Sequence, residues 1–182
     1  MAQVFIINSS PRRHSNSRIL AANVAEGAES NGHTVKTIEI GRANIRPCIG
    51  CYACQKNQNG CVFKDDMTDF YIDLLDAEIL IFSSPIYYYN MNGQMKVFLD
   101  RTYAILNELG NKKFGGVFTY GDIDPFKSVC INAIRTLQHF NVYDPAKWGW
   151  VGAVYGSVFD EGAALNQSEL LLSARKFGES LV

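Results

Sequence analysis

Residues 4–17 read Val4-Phe5-Ile6-Ile7-Asn8-Ser9-Ser10-Pro11-Arg12-Arg13-His14-Ser15-Asn16-Ser17. An unbroken apolar run passes into a serine-rich polar stretch. A helical pattern follows from about Ser17 to Glu29, with Leu20, Val24 and Ala28 on one face. Strand, polar loop and helix in that order open a βαβ unit. A helix N-terminus at such a loop offers free backbone N–H groups and a positive dipole end to an anion. Ser10, Ser15, Asn16 and Ser17 add hydroxyl and amide groups, and Arg12 adds a charge. This suits a phosphate. The loop lacks G-x-x-x-x-G-K-[ST], which would imply a nucleoside triphosphate with magnesium, and it lacks G-x-G-x-x-G. A monophosphate fits best. The plainer alternative is an ordinary polar loop with Ser17 capping a helix.

The alternation continues along the chain. Thr34 to Ile40, Glu78 to Ser83, Gly115 to Tyr120 and Trp150 to Tyr155 read as further strands. Between them lie helical patterns. One is capped by Asp65-Asp66 and carries Met67, Phe70, Tyr71, Leu74 and Leu75. A second carries Met95, Phe98, Leu99, Thr102, Tyr103 and Leu106, a third spans Pro125 to Phe140, and the last runs around Ser168 to Phe177. Strands alternating with helices pair in parallel through crossovers. The expectation is one α/β domain over residues 1–182, a three-layer α/β/α sandwich on a five-stranded parallel sheet. Ligands bind such sheets at the carboxyl ends of the strands. The loops after the first, third and fourth strands are therefore the candidate site.

Composition excludes several classes. Apolar residues make up 47% of the 182 residues, charged residues 19%, and the formal net charge is −1. A general nucleic-acid or membrane-surface binder carries a basic excess instead. No segment approaches the roughly 20 apolar residues of a membrane span. The N-terminus has no basic region ahead of its apolar run, so no signal peptide is expected and a cytoplasmic location is. Cysteines in that setting point to metal or redox use.

The cysteines cluster. Cys48, Cys51, Cys54 and Cys61 form C-x2-C-x2-C-x6-C within an insertion at about 46–64. Thiolates this close in sequence can converge on one inorganic centre, as in small iron–sulfur proteins. A [4Fe-4S] cluster, a zinc site and free thiols are the three readings. Zinc motifs usually pair two C-x2-C knuckles across a longer spacer, which fits less well. Cys130 falls on the inward face of a helical pattern and reads as a small apolar residue. His14, His33 and His139 form no triad or metal pair.

The loop after the third strand is Pro85-Ile86-Tyr87-Tyr88-Tyr89-Asn90, leading to Met91-Asn92-Gly93-Gln94-Met95-Lys96 and K-V-F-L-D-R. Three tyrosines at a strand end could pack along a flat heterocycle. A core or subunit-interface cluster is the alternative. Thr119-Tyr120-Gly121-Asp122 follows the fourth strand and is placed for a secondary contact.

Two of these segments together resemble a known family. S-S-P-R-R-H-S-N-S is similar to the G-S-x-R-x-x-S-N-T loop that binds the FMN phosphate in the NADPH-dependent FMN reductase and iron–sulfur flavoprotein branch of the flavodoxin-like superfamily. Ser9 stands where Gly is common and Ser17 where Thr is usual. The second loop is similar to the motif [TS]-P-x-Y-x-x-x-x-[ST]-x-x-[LM]-K-x-[FW]-[IL]-D-R, with Asn92 where Ser is frequent. The cysteine spacing resembles the compact pattern of iron–sulfur flavoproteins. The resemblance is good from the first strand to Asp100 and weaker beyond. It implies a flavodoxin-like strand order of 2-1-3-4-5. It implies FMN held by Ser9, Ser10, Arg12, Ser15, Asn16 and Ser17 at its phosphate, and by Pro85 to Asn90 around its ring. Thr119 to Asp122 would lie on the other side. It further implies a flavin-dependent oxidoreductase in which no side chain is the catalyst. The donor would be NAD(P)H or a ferredoxin, the acceptor a small molecule or protein, and the assembly a homodimer or homotetramer. A [4Fe-4S] cluster would relay electrons to or from FMN. The alternatives are a cluster-free NAD(P)H-dependent FMN, quinone or nitro-aromatic reductase, and a non-enzymatic monophosphate-binding or assembly module.

Overall fold

The computed structural model describes residues 1–57 and 60–182; residues 58 and 59, inside the expected 46–64 insertion, lie outside the described residues. The strands are β1 (Gln3–Asn8), β2 (Thr34–Glu39), β3 (Ile79–Tyr87), β4 (Asn90–Met91), β5 (Lys112–Tyr120) and β6 (Trp148–Ser157). The helices are α1 (Asn16–Ser30), α2 (Ala53–Asn57), α3 (Met67–Asp76), α4 (Gly93–Thr102), α5 (Cys130–Tyr143) and α6 (Ser168–Glu179). Five strands form a parallel sheet in the order β2-β1-β3-β5-β6. That is the expected 2-1-3-4-5 arrangement. The short β4 pairs antiparallel with the end of β3 and brings the strand total to six.

The sheet has two apolar faces because successive side chains of a strand point to opposite sides. Val4 and Ile6 of β1 join Ile79, Ile81, Val117 and Val154 beneath α1 and α6. Phe5 and Ile7 join Leu80, Phe82, Phe114 and Phe118 on the side of α3, α4 and α5. One face is aliphatic. The other is aromatic, with Phe82, Phe114, Phe140 and Trp148 in mutual ring contact.

Several boundaries differ from the sequence expectation: β3 runs on to Tyr87, β5 begins at Lys112 and β6 spans Trp148–Ser157. Helix α5 begins at Cys130 and not at Pro125. Asp122 and Asp124 turn the chain first, their carboxylates accepting from Ile123 N at 2.7 Å and Phe126 N at 2.7 Å. Carboxylates that bond nearby backbone N–H groups favour turns over helix. Helix α4 stops at Thr102 and tightens into a single 3-10 turn, Tyr103–Ile105. The cap of α1 is Ser15, whose side chain accepts from Arg18 N at 3.2 Å, and not Ser17.

Candidate functional site

Parallel register brings the ends of β1, β3 and β5 together: Asn8 pairs with Ser83, and Pro85 with Thr119. The loops that follow enclose one pocket. Ser10, Arg12, Ser15 and Asn16 line it from the first loop. Pro85, Ile86 and Tyr87 line it from the second, and Thr119, Tyr120 and Gly121 from the third. Val158 and Phe159, from the loop after β6, complete it. These two were missed in the sequence because nothing there marks the end of β6 as a wall of this pocket. A Cβ on Gly121 would lie 2.8 Å from the exposed Phe159 ring, so a larger residue there would push the ring aside.

The first loop is held with its carbonyls turned away. Arg18 donates to Arg12 O at 3.1 Å and also to Arg13 O, while pairing with Glu39. Arg42 donates to Pro11 O at 3.1 and 3.0 Å. Two guanidiniums thus occupy the carbonyls of residues 11–13. On the pocket side, Asn16 and Ser17 open α1, where N–H groups have no intrahelical acceptor. The resulting donor set suits an anion. Gly41 permits the close approach of the β2 end, since a Cβ there would lie 2.1 Å from Ser10 O.

Several expected contact residues serve the frame. Ser9 Oγ donates to Ser83 O at 3.0 Å, and Ser83 Oγ donates to Ser17 O at 3.1 Å. Ser17 Oγ lies 3.0 Å from Ser15 Oγ. The Asn16 side chain donates to Val158 O at 3.3 Å and Asp160 O at 2.8 Å, and accepts from Ala164 N at 3.1 Å. Its amide is fully committed to the β6 loop. Asn92, buried completely, was not singled out as a link between loops. It donates to Ser9 O at 2.7 Å, and its Oδ1 accepts from Ser84 Oγ at 3.1 Å and Met95 N at 3.3 Å. One side chain therefore caps α4 and joins the first two loops. Its signal was an N-cap residue ahead of a helical pattern.

Tyr88, Tyr89, Asn90 and Asp122 lie outside the pocket lining. Tyr88 and Tyr89 occupy the turn between β3 and β4 with φ of 48° and 71°. Both are exposed, Tyr88 at 96%. A two-residue turn with positive φ at both central positions favours Asn-Gly, and tyrosine pays a steric penalty there. Asn90 Oδ1 accepts from Met91 N, and Asp122 bonds within its own turn.

Cys48, Cys51, Cys54 and Cys61 line a second, larger pocket of about 540 Å³, with Phe63 from the same segment and Leu99 and Tyr103 from across it. All four are free thiols, Cys48 and Cys51 exposed. Among the described residues no three His, Cys, Asp or Glu side chains are grouped closely enough to hold a metal ion. Gln55 Nε2 donates to Tyr103 O at 2.8 Å, and the Tyr52 ring meets Tyr103 edge-on. The base of the segment is tighter. Arg101 and Asp65 form a buried pair at 2.8 Å. Burial alone would raise the Asp65 carboxyl; hydrogen bonds from Arg101 and from Arg46 N and Met67 N outweigh it and hold the group below its ordinary value. Burial pushes Tyr71 up to about 12, and its hydroxyl donates to Arg101 O at 3.0 Å. Cys130 is fully buried in the aromatic half of the core, and burial pushes its thiol up to about 12. It stays neutral and apolar.

A family profile described as NADPH-dependent FMN reductase matches residues 2–154. An iron–sulfur flavoprotein of Methanocaldococcus jannaschii is 30% identical over 162 residues, covering 86% of this chain and 81% of that protein. An iron–sulfur flavoprotein of Archaeoglobus fulgidus is 30% identical over 158 residues, covering 85% and 71%. Among solved structures, an NAD(P)H:quinone oxidoreductase from Methanothermobacter marburgensis superposes with TM-score 0.73 at 19% identity, covering 98% of this chain and 96% of the other. An FMN-dependent NADH-azoreductase from Bacillus anthracis superposes with TM-score 0.65 at 18% identity, covering 98% and 96%. These two likenesses show the fold.

Proposed function

The chain belongs to the NADPH-dependent FMN reductase family, and from that premise we propose that it is an FMN-dependent oxidoreductase whose flavin occupies the pocket at the ends of β1, β3 and β5. The observation that carries this is the first loop. Its carbonyls are tied back by Arg18 and Arg42 while the N-terminus of α1 faces the pocket. The donor set fits a phosphate monoester. Ser10, Arg12 and Ser15 would hold the phosphate beside the N–H groups of Asn16 and Ser17. Pro85, Ile86 and Tyr87 would flank the ring from one side, and Thr119, Tyr120 and Gly121 from the other. Bound FMN supplies hydride acceptance from a nicotinamide and onward transfer of electrons singly or in pairs. The protein's part is to hold and orient it and to exclude water.

Cys48, Cys51, Cys54 and Cys61 would hold a [4Fe-4S] cluster, which supplies one-electron storage. Four soft donors facing one pocket fit it in number and chemistry. The two similar iron–sulfur flavoproteins support the same reading. The donor is a nicotinamide. A ferredoxin-type protein is proposed as the one-electron partner. A homodimer or homotetramer is proposed as the assembly, because Tyr88 and Tyr89, next to the pocket-lining Tyr87, are exposed. No helix among the described residues is long and apolar enough to cross a membrane.

The second reading is a cluster-free nicotinamide-dependent reductase. The absence of a tight ligand group among the described residues favours it. Anaerobic purification followed by an absorbance spectrum with iron and sulfide assays decides between them. Flavin bands with about four irons per chain support the cluster. Flavin bands without iron leave nicotinamide-dependent reduction, with four thiols. A colourless protein that ignores added FMN would sink both.

A further inference from the structure

The cysteine segment must present four thiols to one pocket, yet among its described residues the regular structure is the short helix α2. What fixes its ends is the last turn of α4. Arg101 is 2% exposed. One of its terminal nitrogens donates to Arg46 O at 2.7 Å and to Asp65 Oδ2 at 2.8 Å. The other donates to Asp65 Oδ1 at 3.1 Å. Asp65 Oδ2 also accepts from Arg46 N at 3.0 Å. A single guanidinium thus holds the residue where the chain enters the segment and the residue where it returns. Phe63 lies between them, lining the cysteine pocket. Its ring centre is 4.1 Å from the Arg46 guanidinium and 5.3 Å from that of Arg101.

The same helix is fixed at its other end by the Asn92 cap, which joins the first two flavin-pocket loops. Asn92 and Arg101 stand roughly 14 Å apart along the axis at 1.5 Å rise per residue. Helix α4 is a rigid spacer with one pocket at each end.

We infer that Arg101 is a positioning residue for the thiol centre: its fork fixes the two ends of segment 46–65 against α4, and so sets where the four cysteines stand relative to the flavin pocket. This rests on the reading of the cysteines as one centre.

The test uses the full chain, purified anaerobically, as wild type, Arg101→Gln, Arg101→Lys and Asp65→Asn. Three readouts are taken: hydrogen exchange by segment, FMN content, and the rate of iron release to a chelator after loading with ferrous iron and sulfide. Arg101→Gln is expected to release iron about 10–100-fold faster, the range for loss of a group that orients ligands. Its exchange should rise across 46–65 while β1 and α1 exchange as in wild type. Arg101→Lys keeps the charge without the fork and should fall between. Asp65→Asn keeps the shape and covers the case in which Arg101→Gln does not fold. Unchanged exchange across 46–65 in both Arg101→Gln and Asp65→Asn overturns the proposal. So does exchange that rises equally over the whole chain. Wild-type protein that takes up no iron overturns the cluster reading instead, and the exchange comparison then decides the role of Arg101 on its own.

Discussion

The two pockets are built in opposite ways. At the proposed flavin pocket, Ser9, Ser17, Ser83, Ser84 and Asn92 are buried and bonded to one another across the first two loops. The polypeptide completes that site by itself. At the cysteine pocket the thiols line an open cavity, and Ile49, Tyr52 and Val62 are exposed beside them. Among the described residues the segment is braced by a buried ion pair at its base, and higher up by the exposed Gln55 and Tyr52 contacts to Tyr103. The lesson concerns what each occupant must do. A ligand entering the first pocket finds its donors in place. A centre entering the second supplies its own cohesion, as metal sites commonly do when binding and ordering are coupled.

The largest break in that contrast should come where the open segment meets the closed frame. Removing one partner of a buried ion pair strands the other charge, at a cost of about 3–5 kcal/mol. Asp65→Ala is therefore expected to lower unfolding free energy by that amount in urea titration. A loss under 1 kcal/mol would show that Arg101 finds water or another acceptor. Acid should imitate the substitution. The Asp65 carboxyl titrates below 3.8 when folded and near 3.8 when unfolded. Its stabilisation is therefore complete above that value and disappears as pH falls through the folded one. Stability followed from pH 5 to pH 2 should drop in wild type and drop less in Asp65→Asn. Parallel curves would refute the assignment.

Asn92→Ala attacks the closed frame directly. It strands Ser9 O and Met95 N in buried surroundings and removes the α4 cap, while Ser84 Oγ keeps Pro85 O and the backbone N–H of residue 92. A cost of about 2–4 kcal/mol is expected, together with weakened FMN retention measured by flavin fluorescence after dialysis. Full retention would mean that the second loop orders without the link. A smaller effect of opposite sign is expected at the turn that rims this pocket. Tyr88→Asn with Tyr89→Gly supplies the residues that positive φ favours, and should raise stability by about 1 kcal/mol. A melting temperature that falls would show the two tyrosine rings to be contributing packing that outweighs their backbone strain.

The sequence made the frame legible where one physical rule dominated. Parallel strands came from apolar runs between helical patterns, and the first loop of the candidate flavin pocket from a polar stretch opening a helix. The roles inside the loops were less legible. Ser17 and Asn16 read as ligand donors by residue type, and Ser9 by the family resemblance, but their side chains bond Ser15, the β6 loop and Ser83. Hydroxyls and amides serve a phosphate or a neighbouring carbonyl equally well, and only the fold decides which lies within reach. Arg18 and Arg42 were invisible for the same reason: a guanidinium on a loop carbonyl leaves no spacing signature. Val158 and Phe159 come from the region where the family resemblance had faded. Arg101 was visible as the end of the D-R motif, but its partners Arg46 and Asp65 lie far away in sequence.

The smallest effect sharpens the comparison most. In protein without iron, Cys48→Ser and Cys51→Ser replace exposed thiols that make few contacts, so each should change unfolding free energy by no more than about 0.5 kcal/mol. The open pocket then contributes nothing of its own to stability. After loading with ferrous iron and sulfide, wild type should gain thermal stability, because a ligand that binds only the folded state shifts the equilibrium by mass action. The two serine variants should gain none, while FMN should stabilise all three equally. A loading shift that survives in Cys48→Ser and Cys51→Ser would remove them as ligands. A stability loss of 2 kcal/mol or more in the iron-free variants would show instead that the segment is as self-sufficient as the flavin loops, and the contrast between the two pockets would fail.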